Sequence, residues 1–146
     1  MLNMGILSMI GIICAMEKEL QNLKNEIDIK KVETISSTEF IIGKIKNKDC
    51  ILAVCGIGKV AAAICAQTMI IKFKADLILN IGVAGSLNKE VDICSVVVAE
   101  DLVQYDMDTS AIGDKKGLIS GINKIAIEAD KDINEKIINV IKKMSW

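Results

Sequence analysis

Three stretches of this chain are apolar and uncharged over the length of a strand: Met9 to Ala15, the run after Asp76 in Asp76 to Gly82, and Cys94 to Ala99. A strand that alternates apolar and polar residues can face water on one side, whereas an unbroken apolar run needs cover on both faces. The segments between two of these runs carry helical spacing instead. Glu17 to Ile27 places Leu20, Leu23 and Ile27 on one face. Gly58 to Phe73 carries Ala61-Ala62-Ala63 and Ala66, small enough to pack closely on a sheet. Doubly covered strands alternating with helices predict an α/β fold built in layers.

Three further strands are expected at Val32 to Ile35, Glu39 to Ile45 and Cys50 to Cys55, a meander whose last turn is Lys46-Asn47-Lys48-Asp49. Tyr105 to Gly121 has no apolar period and reads as a loop. Ile122 to Met144 reads as one long amphipathic helix, with Ile122, Ile125, Ala129, Ile133, Ile137, Ile141 and Met144 on one face. No repeat, low-complexity tract or Gly/Ser linker divides the sequence, so 9–146 is expected to form part of a single domain. The uncharged opening lacks the basic leader of a signal peptide and is short for a membrane span. A buried strand explains it better, with Met9 a candidate start and 1–8 an extension. An α/β unit normally returns to its sheet after a helix, so the end of the chain reads as an interruption.

Composition restricts the chemistry. The chain has no His, and all 18 basic residues are Lys. Without His, Ser-His-Asp, Cys-His and His-based zinc sites are excluded. Without Arg there is no bidentate clamp for phosphate or carboxylate. The net charge of −1, with both signs interspersed, offers nothing to nucleic acid or an anionic membrane. Cys14, Cys50, Cys55, Cys65 and Cys94 form no CxxC pair, and most sit in apolar runs. Free buried thiols in a reducing, cytoplasmic setting account for them better than a metal or disulfide framework.

Four segments could carry chemistry. Gly56-Ile57-Gly58-Lys59-Val60-Ala61 fits G-x-G-x-x-A between a strand and a helix. A dinucleotide fingerprint would need an acid at the far end of the next strand. The acid there, Asp76, stands at the opposite end, so a tight turn bringing backbone near a ligand is the better reading. Asn80-Ile81-Gly82-Val83-Ala84-Gly85-Ser86 ends a buried strand at the edge where ligands of open α/β sheets collect, although an ordinary Gly-rich turn would look the same. Glu17-Lys18-Glu19 opens a helix, where acids commonly do no more than complement the dipole. Gln104-Tyr105-Asp106-Met107-Asp108 enters a loop, where acids are mostly solvated.

In order and spacing, Gly11-Ile-Ile-Cys-Ala-Met-Glu-Lys-Glu19, Gly56-Ile-Gly-Lys-Val-Ala-Ala-Ala63, Asn80-Ile-Gly-Val-Ala-Gly85 and Val103-Gln-Tyr-Asp-Met-Asp108 closely resemble the methylthioadenosine/S-adenosylhomocysteine nucleosidases. The resemblance runs from about Met9 to the end. It implies a three-layer phosphorylase/nucleosidase-type α/β fold with a central mixed β-sheet, a homodimer, no metal and no cofactor. The implied reaction is hydrolysis of an N-ribosidic bond, releasing adenine in methionine salvage. Aminodeoxyfutalosine nucleosidase shares the motifs, and a non-catalytic product is the remaining alternative.

By the same resemblance Glu19 matches the carboxylate that orients and deprotonates the attacking water. Val83, Ala84 and Gly85 match the adenine and ribose wall, and Met16 and Ile57 match residues near ribose and water. Ile112, in Ala111-Ile112-Gly113, matches a loop that a partner subunit lends to the alkylthio pocket. The related phosphorylases bind phosphate through Arg, so the lack of Arg favours hydrolysis over phosphorolysis. The chain departs from the family at Tyr105, Ile112, Asp114 and Ser120, where His, Phe, Tyr and Pro are usual. It departs again at Ser86 and at Cys94-Ser95. The family's later segments, an aromatic against adenine, a Met-Glu pair for the ribose hydroxyls and an Asp that protonates adenine, have no match. The expectation is therefore a C-terminally truncated form, weakly active or inactive alone.

Overall fold

A computed structural model describes residues 9–144, so the suggested extension at 1–8 lies outside the described residues. Residues divide into two compact units, one ending at Gly85 and the other beginning at Ser86.

The first unit is a five-stranded mixed sheet in the order β2-β3-β4-β1-β5. Its strands are β1 (Ile10–Cys14), β2 (Asp28–Ile35), β3 (Thr38–Ile45), β4 (Lys48–Val54) and β5 (Leu77–Asn80). The meander β2-β3-β4 is antiparallel, whereas β1 lies between β4 and β5 and is parallel to both. Both hairpin turns are two residues long, Ser36-Ser37 and Lys46-Asn47, and all four residues have positive φ. That is the turn whose twist matches the flanking strands, here made without glycine.

The first two apolar runs, which form β1 and β5, feed packed layers on both faces of the sheet, as their patterning required. On one face Ile13, Phe40, Ile51 and Ala53 meet Cys65 and Met69 of α2 (Lys59–Phe73). On the other, Ile12, Cys14, Ile41 and Leu52 meet Leu20 of α1 (Glu17–Glu26) and Ile27 just beyond it. Alternate residues of β1 thus feed opposite layers, the direct result of the two-residue side-chain period. Helix, sheet and helix make three layers.

In the second unit β6 (Asp101–Val103) pairs antiparallel with β7 (Ala126–Glu128), followed by α3 (Lys131–Ile141). Two expectations fail here. Cys94 to Ala99 is not a strand: Cys94 has φ of 70°, incompatible with extended backbone, and Val96 and Val97 are exposed. The ladder begins only at Asp101. Nor is Ile122 to Met144 one helix. Ala126 to Glu128 spend their backbone groups on β6, and the Asp130 carboxylate accepts a hydrogen bond from Ile133 N at 2.9 Å, capping a helix that starts at Lys131.

Candidate active site

Because β4, β1 and β5 run in parallel, the segments leaving their carboxyl ends gather along one sheet edge: Cys55 to Gly58, Ala15 to Glu19, and Ile81 to Gly85. Asp76 is fixed at the opposite edge, where its Oδ2 accepts from Met9 N at 2.9 Å. No ribose-binding acid follows the glycine turn, which disposes of the dinucleotide reading.

Glu19 stands in the first turn of α1, and its two carboxylate oxygens serve different partners. Oε2 accepts from Met16 N at 2.8 Å, while Glu19 N donates to Met16 O at 3.1 Å. This reciprocal pair closes the helix N-terminus in the manner of a capping box. Oε1 accepts from Val83 N at 3.0 Å. That second bond has no role in capping, since it reaches a residue 64 positions away in the segment after β5. The N–H groups of Met16 and then Val83 hold the Glu19 carboxyl below its ordinary value, outweighing the opposing effect of desolvation, with a lesser contribution from Ala15. Glu19 is therefore an ionised acceptor with its oxygens fixed in place.

The surroundings of the carboxylate are apolar and open. Met16, Ile57 and Val83 are exposed, Ile57 and Val83 by about four-fifths. Exposed apolar side chains beside fixed backbone donors and an anion suit a flat, weakly polar ligand. Ala84 and Gly85 continue the same segment, and a Cβ built on Gly85 would meet nothing within 4 Å. Behind the site, burial and then the Glu19 charge push the Cys14 thiol up to about 11, so it is a neutral packing residue. Gly56 and Gly58 take φ of 86° and 110°, a conformation that favours glycine in the turn leading into α2.

The structure thus brings Glu19, Met16 and Val83 into direct contact and sets Ile57, Ala84 and Gly85 on segments at the same edge. Ile112 belongs to the second unit, exposed on a 3-10 turn (Ser110–Ile112) that Gly113 closes with φ of 99°. Asp108 in that unit accepts from Ser110 Oγ at 2.6 Å and Ser110 N at 3.1 Å, bonds that lower its carboxyl and commit it to the local turn. One residue that sequence reasoning left without a role is Gly82. A Cβ there would lie 2.7 Å from Glu19 Oε1. Its only sequence signal was membership of a Gly-rich run. Among the described residues no group of three or more Cys, Asp or Glu side chains could hold a metal ion.

A doubly covered mixed sheet, with an anchored carboxylate and apolar, glycine-bearing segments at its carboxyl edge, defines a layered α/β protein with a candidate site at that edge. The chain belongs to the phosphorylase superfamily, whose family model matches residues 9–145. It is 35% identical over 134 residues to the 5'-methylthioadenosine/S-adenosylhomocysteine nucleosidase of Staphylococcus aureus (strain bovine RF122 / ET3-1), covering 92% of this chain and 58% of that protein. Among solved structures, the Neisseria meningitidis nucleosidase of the same name, in complex with methylthio-immucillin-A, superposes with a TM-score of 0.89 at 28% identity, over 93% of this chain and 58% of that one. Futalosine hydrolase of Helicobacter pylori strain 26695 superposes with a TM-score of 0.88 at 32% identity, over 94% and 59%. The chain spans somewhat under three-fifths of the length of the curated relative it matches. Among the described residues no helix is long and apolar enough to cross a membrane.

Proposed function

We propose that this chain carries the water-activating part of a hydrolase that cleaves the N-ribosidic bond of 5'-methylthioadenosine and S-adenosylhomocysteine. The observation that carries this reading is the Glu19 carboxylate, held ionised by Met16 N–H and Val83 N–H at the ligand edge of the sheet. Cleavage passes through an oxocarbenium-like state, so water needs a nearby carboxylate to orient and deprotonate it more than it needs a strong nucleophile. A carboxylate has acceptor capacity beyond one bond per oxygen, which leaves Glu19 able to hold that water.

Val83, Ala84 and Gly85 form the wall for adenine and ribose, with Met16 and Ile57 beside the ribose. In a homodimer, Ile112 is lent to the alkylthio pocket of the partner. The absence of Arg from these residues favours water over phosphate as the acceptor. Its free thiols suit work in the cytoplasm.

The test is adenine release from methylthioadenosine by the purified chain and by Glu19→Gln. Since no segment matches the acid that protonates adenine, turnover is expected to be slow, about 10²- to 10⁴-fold below that of an enzyme with both groups. It is expected to fall further in Glu19→Gln. Equal rates in the two proteins would refute the assignment. The likeness to futalosine hydrolase supports a second reading, in which the substrate is an aminodeoxyfutalosine-type nucleoside. A substrate panel separates the two by their ratio of kcat/KM.

A further inference from the structure

Gly82 differs from the other glycines near the site. Gly56 and Gly58 adopt positive φ, which explains why they are glycine, and a Cβ on Gly85 would enter open space. Gly82 has φ outside the left-handed region, so its backbone would accept a side chain. The three atoms a side chain would meet first all belong to the Glu19 carboxylate: Oε1 at 2.7 Å, the carboxyl carbon at 3.1 Å and Oε2 at 3.4 Å. The next residue, Val83, donates its N–H to that same Oε1.

We propose that Gly82 is a positioning residue for the proposed water-activating carboxylate, the space left by its missing Cβ being the seat that lets Glu19 reach the Val83 N–H. The consequence for catalysis rests on the reading of Glu19 as the base; the positional claim does not. The obstructed atoms are the far end of a flexible side chain rather than backbone. A Cβ at 82 would therefore turn the carboxylate aside without dismantling the sheet. Glu19 would keep the option of its local bond to Met16 N, three residues away, but would lose the bond to Val83. Gly82 thus governs where the carboxylate points, while the fold is set by the β1–β5 ladder and the two apolar layers.

The test is Gly82→Ala in the full chain, examined by NMR and by adenine release. In the parent chain the Val83 amide is expected to shift with pH at the midpoint of the Glu19 carboxyl. In Gly82→Ala that amide titration disappears, the Glu19 carboxyl carbon titrates closer to the ordinary value, and far-UV circular dichroism is unchanged. Release of adenine falls at least about tenfold in kcat with KM little changed, as misplacing a catalytic group by an ångström can cost even more. A Val83 amide that still titrates with the parent midpoint in Gly82→Ala overturns the proposal. Should Gly82→Ala unfold, the same substitution is made in a Glu19→Ala background. Folding there supports the carboxylate as the obstacle, and unfolding there overturns it. If the parent chain releases no adenine, the kinetic comparison drops out, and the two NMR titrations alone decide the role of Gly82.

Discussion

Leu20 connects the stability of the first unit to its site, because it anchors the helix turn that presents Glu19. Its side chain is fully buried, in a cluster with Ile12, Cys14, Ile27, Ile41 and Leu52. Leu20→Ala removes three carbons from water-free surroundings, roughly 2.5 kcal/mol at about 0.8 kcal/mol per methylene. The cavity left under α1 raises this, because β1 and β4 are held in register on either side and cannot collapse into it. A loss of about 3 kcal/mol is expected.

The competing contribution on the same helix is the Glu17–Lys24 ion pair, where Glu17 is 65% exposed. Exposed pairs are worth about 0.2–1 kcal/mol, so Lys24→Ala should cost well under 1 kcal/mol. Native-state hydrogen exchange at the amides of Ile12 and Leu52 reads the difference. Protection is expected to fall about two orders of magnitude in Leu20→Ala and less than fivefold in Lys24→Ala. Similar losses in the two variants, or a Leu20→Ala loss below about 1 kcal/mol, would refute the layered packing of α1.

The remaining predictions concern glycine, acid, thiol and cap. Gly43→Ala should prevent stable folding, since its Cβ would meet Asp28 O at 2.2 Å in the β2–β3 ladder; Gly11→Ala, opposed only by the ends of the Ile78 and Met69 side chains at 2.6 and 2.7 Å, should fold with a lower Tm. Because the folded Glu19 carboxyl is depressed, its contribution to stability is complete above the ordinary carboxylate range and is lost as pH falls through the lower folded value; Glu19→Gln should flatten that acid limb in a urea-melt series against pH. An alkylating thiol reagent at pH 8, followed by mass spectrometry, should label exposed Cys94 first and leave Cys14 and Cys65, both raised to about 11 by burial, until last. Asp130→Ala removes the α3 cap and should cost about 1 kcal/mol of local stability, read as faster amide exchange at Ile133 and Asn134.

The amino-acid sequence determined the strands β1, β3, β4 and β5, the helices α1 and α2, and the layered class, because each rests on a local period that burial enforces; β2 was expected only from Val32, and its exposed first half is held by the ladder to β3. An uncharged run such as Gly11 to Cys14 must be covered twice, and Leu20, Leu23 and Ile27 can share only one helix face. The placing of Glu19 and the glycine-bearing segments at strand ends was legible from local pattern, whereas a role for Glu19 was suggested only by the family resemblance. Local period misled at Ile122 to Met144, where β7 is a strand because Asp101 to Val103 offers it a ladder, and isoleucine spacing carries no information about a distant partner. Tertiary structure alone decided that Val83 N–H belongs to Glu19 Oε1, and that Gly82 must lack a side chain beside it. The reason is topological. Placing β5 next to β1 brings together residues more than sixty positions apart, and only that register makes the end of one strand the seat of the other's carboxylate.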